Sequence, residues 1–171
     1  MQAMMREHMK KLLVLAVLAL VLGAVPVFAA GDNFQVEVNV VPSCVFTLTN
    51  DINFGNLDVT SFGTKTGLGS VTILCTSGQL YQVALDNGQQ PDGSGGRQMS
   101  DGGIDVLPYE LYQEAWPTTK IWKSGTDAMA YNATGNRDTF TVYGVLSWLE
   151  SMLPTTPVGT YLDMVTATYS W

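Results

Sequence analysis

The sequence predicts an all-β domain folded as a sandwich, and three observations carry that expectation. From residue 34 to residue 171, apolar residues recur at every second position or in short runs, and hardly ever at the three- and four-residue spacing of a helix. The runs are rich in Val, Thr, Tyr and Phe, residues that suit a pleated, half-buried surface. Clusters of Gly, Asn and Pro divide them where turns are needed.

The chain opens with an expected export signal, residues 1–30. Arg6, Lys10 and Lys11 precede an unbroken apolar run from Leu12 to Val25, followed by Pro26 and small residues, and cleavage is expected after Ala29 or Ala30. The competing reading is an uncleaved anchor, because the charge-free stretch approaches the roughly 20 residues that span a bilayer. Pro26 and the Val-Phe-Ala-Ala end favour processing, which leaves no membrane span. Without these residues the chain keeps five basic and fourteen acidic side chains. The five cations Lys65, Arg97, Lys120, Lys123 and Arg137 stand singly among acids, so the clustered positive charge that a nucleic-acid partner requires is missing.

Residues 31–41 form the next element. In "NFQVEVNVV" the residues Phe34, Val36, Val38 and Val40 alternate with Gln35, Glu37 and Asn39, so an extended chain places four apolar side chains on one face. This strand has two possible partners, its own domain or another molecule. A one-residue slip would turn the charge of Glu37 inward, so the register is defined.

The remaining residues, 42–171, fit one domain with a real core. Candidate strands are Val45–Thr49, Ser70–Thr76, Gln79–Asp86, Val106–Tyr112, Thr139–Ser147 and Thr160–Trp171. With the N-terminal strand they suggest an immunoglobulin-like sandwich. In the last of them Tyr161, Val165, Ala167, Tyr169 and Trp171 share one face, and the expectation is that no further segment covers the free edge of that strand. The sandwich is thus expected to end one strand short. Cys44 and Cys75 are expected to form a disulfide in an oxidising compartment, with free thiols or a redox pair as the alternatives. Met99, Met129, Met152 and Met164 are expected to fill gaps in the core. The Gly-rich interval from Asp86 to Asp105 fits neither a phosphate loop nor a calcium hand and reads as a flexible connection, with Arg97 available to anchor it to a carbonyl or carboxylate.

Catalytic chemistry finds little support. His8 is the only histidine and lies in the segment expected to be removed, which excludes Ser-His and Cys-His pairs and histidine-ligated metals. Carboxylate pairs such as Glu110 with Glu114, or Asp101 with Asp105, read as solvated surface. We expect no enzyme, no cofactor and no metal. Trp116, Trp122 and Trp148 are candidates for stacking on sugars in a lectin-like adhesin, against the alternative of core or subunit packing. Asn132-Ala133-Thr134 fits a glycosylation acceptor in a surface loop.

Several stretches together carry a family resemblance. "INFGNLD", "VTILCTSGQLYQVALDNGQ", "RQM", "LPYELYQ", "IWKSG", "TVYGVL" and "PVGTYLDMVTATYSW" occur in order from Cys44 to Trp171. The set resembles the spore coat protein U domain family, which includes the pilin subunits of archaic chaperone-usher pili. The resemblance implies an incomplete immunoglobulin-like sandwich lacking its last strand and completed by donor-strand complementation, a form of β-strand addition. It implies Phe34, Val36, Val38 and Val40 as donor residues, Cys44 and Cys75 as the disulfide, and Val165, Ala167 and Tyr169 as part of the acceptor groove. Its implied partners are identical or related subunits, a periplasmic chaperone and an outer-membrane usher. Its implied location is the cell surface, in a fimbria serving adhesion or biofilm formation, or in a spore coat. Two departures stand out: Lys123 occupies a usual glycine position, and Trp148, Leu149, Met152 and Leu153 form an apolar patch where the family is usually polar. The alternative to a filament subunit is a self-contained secreted coat-type protein whose N-terminal strand closes its own sandwich.

Overall fold

The computed structural model describes residues 5–12, 31–58, 60, 63–148 and 156–171. The apolar run and cleavage site of the expected signal fall outside the described residues, as do Leu149, Met152 and Leu153 of the apolar patch. The chain divides into two units, Met1–Asn39 and Val40–Trp171. In the first, residues 5–12 are helical and residues 31–39 adopt no regular structure. No helix among the described residues is long and apolar enough to cross a membrane.

The second unit is almost entirely β. Its strands are β1 (Cys44–Asn50), β2 (Gly63–Cys75), β3 (Leu80–Leu85), β4 (Arg97–Ser100), β5 (Val106–Tyr112), β6 (Met129–Asn132), β7 (Arg137–Trp148) and β8 (Ala167–Ser170), with one 3-10 turn at Gly125–Asp127. Two antiparallel sheets result, a five-stranded one in the order β1-β2-β7-β5-β4 and a three-stranded one in the order β6-β3-β8. The core lies between them, because alternate residues of each strand turn inward. Ile73 of β2, Tyr81 and Val83 of β3, and Trp122 are all fully buried, at 0% exposure. Trp122 satisfies its indole by donating Nε1–H to the Val83 carbonyl at 2.9 Å.

Ile52 and Phe54 pack on the larger sheet. After β1 stops pairing with β2 at Asn50↔Ser70, Ile52 and Phe54 settle on a platform made by Gly67, Gly69 and Gly144, of which Gly67 and Gly144 are paired in register. A Cβ on Gly67 or Gly69 would stand 2.6 Å from Ile52, and one on Gly144 would stand 2.9 Å from Phe54. The platform therefore depends on the missing side chains, not on turn geometry. The glycines also explain why β2 begins at Gly63 and not at the expected Ser70: glycine at inward positions hides the alternation.

The interval from Asp86 to Asp105 is more structured than the flexible connection expected of it. Asp92 Oδ1 accepts from Ser94 N–H at 2.8 Å and Gly96 N–H at 2.6 Å, and the turn delivers the chain into β4. Arg97 opens that strand at 1% exposure. Its Nε–H donates to the Asp86 carbonyl at 2.8 Å, and its Nη2 donates to the carbonyls of Trp122 at 2.7 Å and Leu85 at 3.2 Å. Its Nη1 pairs with Glu110. A single guanidinium thus ties β3, β4, β5 and the Trp122 segment together, the anchoring role expected of it. Lys123 pairs with Glu110 at 3.1 Å and donates to the Gly95 carbonyl at 3.0 Å.

Candidate functional site

From Tyr161 to Tyr169 the chain alternates without a break: odd-numbered residues are half-buried and even-numbered ones exposed. No inward side chain in this run is buried, whereas on the adjacent β3 Tyr81, Val83 and Leu85 all are. Val165, Ala167 and Tyr169 pack against the core and stay half-buried. The reason is the position of the strand in its sheet. β8 pairs with β3 through Gln82↔Ser170 to Leu85↔Ala167 and is the last strand of the three-stranded sheet. Its other edge therefore has no partner strand within the described domain.

The facing side is the edge of the larger sheet. β1 is the terminal strand there, and the Cys44–Cys75 disulfide fixes it to β2 at a pair in direct register. Closing a loop of this length contributes roughly 3 to 4 kcal/mol by restricting the unfolded chain. Two contacts join β8 to β1: Tyr169 donates its hydroxyl to the Cys44 carbonyl at 2.7 Å, and its ring meets Phe46 edge-on at 5.3 Å between centroids. At the other end Asp163 accepts from the Tyr109 hydroxyl at 2.5 Å, and Tyr109 meets Phe54 edge-on at 6.3 Å. An apolar seam runs between these corners, lined by the half-buried Phe46, Ile52, Phe54, Val165, Ala167 and Tyr169.

The segment leading into β8 is firmly held. Leu162 exchanges both backbone hydrogen bonds with Ser100 of β4, at 2.8 and 3.0 Å. Four residues later Asp86 takes over, its Oδ1 accepting from Thr166 N–H and Gly88 N–H, both at 2.9 Å. Burial opposes the Asp86 charge, but these N–H groups and the nearby Arg97 outweigh it and hold the carboxyl below its usual range. The segment thus passes from the edge of one sheet to the edge of the other.

Two tyrosines report on this packing. Burial pushes the Tyr109 hydroxyl well above its usual range, with Asp163 adding to the effect, and Tyr81 is raised by burial and by Asp138. Unfolded tyrosines ionise near pH 10 while these two stay protonated, so the unfolded state binds fewer protons above that pH and stability falls as pH rises. Urea midpoints at pH 8 and pH 11 should show this loss, and Tyr109→Phe should reduce it. An unchanged pH dependence in Tyr109→Phe would contradict the assignment.

The sequence-predicted residues fall into three groups. Cys44 and Cys75 are joined, and Val165, Ala167 and Tyr169 line one seam as a set. Phe34, Val36, Val38 and Val40 are exposed, at 87%, 84%, 85% and 72%. The sequence reading missed the β1 side of the seam: Phe46, Ile52, Phe54 and the glycine platform. "INFGNLD" and "TVYGVL" were visible as motifs, and the Gly-x-Gly spacing of Gly67 and Gly69 was the signal that a close approach was needed. Of the proposed sugar-stacking residues, Trp122 is wholly buried, Trp116 is 46% exposed beside Tyr112, and the Trp148 side chain is outside the described set. Met164 is 64% exposed and so does not fill the core, unlike the half-buried Met99 and Met129. Glu110 and Glu114 are each paired with a cation and not with a second acid.

Residues 30–168 match the family model of the Spore Coat Protein U domain. No curated protein matches the chain. A solved structure similar to it is the chaperone-tip adhesion subunit pre-assembly complex CsuC-CsuE from archaic chaperone-usher Csu pili of Acinetobacter baumannii. The similarity has a TM-score of 0.55 and 23% identity, covers 77% of this chain, and spans 40% of the length of that one.

Proposed function

Because the chain belongs to the Spore Coat Protein U domain family, we propose that it is an exported, non-enzymatic structural subunit of a chaperone-usher fimbria. In this reading residues 31–41 are the donor strand, residues 42–171 the pilin domain, and the subunit polymerises head to tail by giving its strand to a neighbour. The observation that carries the reading is the half-buried inward face of residues 161–169, beside a strand edge with no partner strand among the described residues. An exposed apolar stripe on the same chain has the period that such an edge accepts. Four apolar side chains at about 1.5 to 3 kcal/mol each give a gross gain of roughly 6 to 12 kcal/mol, an upper value. Donation by one face to a different face is a heterologous contact, which builds an open filament.

Before assembly the same edge needs a temporary cover, which is the role the reading gives to a periplasmic chaperone, with an outer-membrane usher as the site of exchange. The similar solved structure is itself a chaperone-subunit complex, which supports the first of these. Surface display in adhesion or biofilm formation follows from the same reading.

The test is the double variant Val36→Asp with Val38→Asp. Wild-type chains are expected to form concentration-dependent oligomer ladders, and the variant to remain monomeric with an unchanged β-sheet signal, because two carboxylates cannot enter an apolar seam unpaired. Ladders of equal extent in both would overturn the reading.

A further inference from the structure

Along the inward face of residues 161–169, one side chain breaks the apolar row. Asp163 shares the parity of Tyr161, Val165, Ala167 and Tyr169 and is half-buried like them. It is held from three directions: the Tyr109 hydroxyl at 2.5 Å, Gln89 N–H at 2.8 Å and Met164 N–H at 2.8 Å. Its carboxylate lies close against Gly88, where an added Cβ would stand 1.9 Å from Oδ2. The carboxylate is therefore a fixed feature of the seam, at the Phe54 and Tyr109 corner.

Beyond Asp163 the apolar row consists of Val165, Ala167 and Tyr169, and Trp171 stacks on Tyr169 at 5.5 Å. These positions recur at a spacing of two, the period of Phe34, Val36, Val38 and Val40. The same parity continues to Asp32 before the stripe and to Pro42 after it. A donor lying parallel to β8 would set Asp32 against Asp163, two carboxylates at a half-buried site. A donor of opposite direction would set Pro42 there, where the missing N–H ends strand pairing at no further cost. We propose that Asp163 is a register- and direction-determining residue of the acceptor seam, ending its apolar floor so that a neighbour's stripe stops with Val40 beside Val165 and Pro42 beside Asp163. This inference rests on the donor-strand reading above.

The test uses the full-length chain and reads the concentration at which half of it is oligomeric. Pro42→Asp should raise that concentration about tenfold, since like charges brought together across an interface are strongly disfavoured. Asp163→Asn keeps a hydrogen-bond acceptor for Tyr109 and should abolish most of that loss, while Asp163→Lys should make Pro42→Asp the favoured partner. A role confined to holding Tyr109 would not produce this exchange of preference. Asp32→Lys should behave the same in wild-type and Asp163→Asn backgrounds. If stripe-dependent oligomers form but residues 42 and 163 act independently, this inference alone is overturned. If no stripe-dependent oligomers form, the donor-strand reading falls and this inference falls with it.

Discussion

Removing residues 31–41 is expected to leave a domain that aggregates, or melts about 10 °C or more below the full-length assembled protein, and a synthetic peptide of that segment should restore the loss. The physical reason is the state of the seam. Val165, Ala167 and Tyr169 stay half-buried against the core, as do Phe46, Ile52 and Phe54. Adding the stripe removes up to 6 to 12 kcal/mol worth of apolar surface from water, about 1.5 to 3 kcal/mol for each of four side chains. Backbone hydrogen bonds along the free β8 edge add to this, and ordering of the segment offsets much of it. A net effect of a few kcal/mol remains, which at this size moves the melting temperature by about 10 °C. Thermal unfolding with and without peptide is the measurement. A cooperative, stable monomer indifferent to the peptide would show that the seam needs no added strand.

The second large effect is expected at Arg97. Arg97→Met should cost about 3 to 5 kcal/mol, because removing one partner of a buried ionic network strands the others. The carbonyls of Leu85, Asp86 and Trp122 lose the Arg97 donor, and Glu110 keeps Lys123 and the Leu111 N–H. Arg97→Lys should recover less than half, since one ammonium on a flexible stem cannot reach what a planar guanidinium reaches in several directions. Urea unfolding of the two variants decides the matter, and a loss below about 1 kcal/mol in Arg97→Met would mean the network is dispensable. The effect should extend to the seam, because Asp86, whose carbonyl Arg97 holds, also clasps Thr166 at the entry to β8.

Much of this fold was legible in the sequence, for a definite reason. β1, β3, β5 and β7 carry regular two-residue alternation of β-branched and aromatic residues, and each lies within two residues of its expected bounds. What escaped follows from exceptions to that alternation. β4 is short and its buried residues are Arg97 and Ser100, so the pattern is polar where an apolar one was sought. β6 has four residues and only Met129 half-buried. The first half of β2 is masked by Gly67 and Gly69, whose purpose appears only once Ile52 is seen resting on them. The last strand was expected from Thr160, but the ladder with β3 begins at Ala167. The alternation from Tyr161 onward was read correctly, and the change of hydrogen-bonding partner from Ser100 to Asp86 and Leu85 was not visible, because side-chain period carries no information about which edge is paired.

The candidate site was half legible for the same reason. That Val165, Ala167 and Tyr169 share a face follows from period, and their place in an acceptor groove is what the family resemblance implies, whereas the seating of Ile52 and Phe54 on the glycines of β2 and β7 is a long-range contact that no local pattern encodes. Asp163 was passed over because an acid on an otherwise apolar face reads as a surface exception until its three hydrogen bonds are seen.

The central claim is that residues 31–41 of one chain complete the seam of another. It is tested most directly by placing a photo-reactive residue at position 38 of the full-length chain and irradiating an equal mixture of isotopically light and heavy protein. The expected result is cross-links from position 38 to the seam, within residues 44–57 or 161–171, with mixed light-heavy pairs as abundant as unmixed ones. Cross-links confined to unmixed pairs would mean that each chain fills its own seam, and cross-links elsewhere on the domain would mean that the stripe does not enter the seam at all.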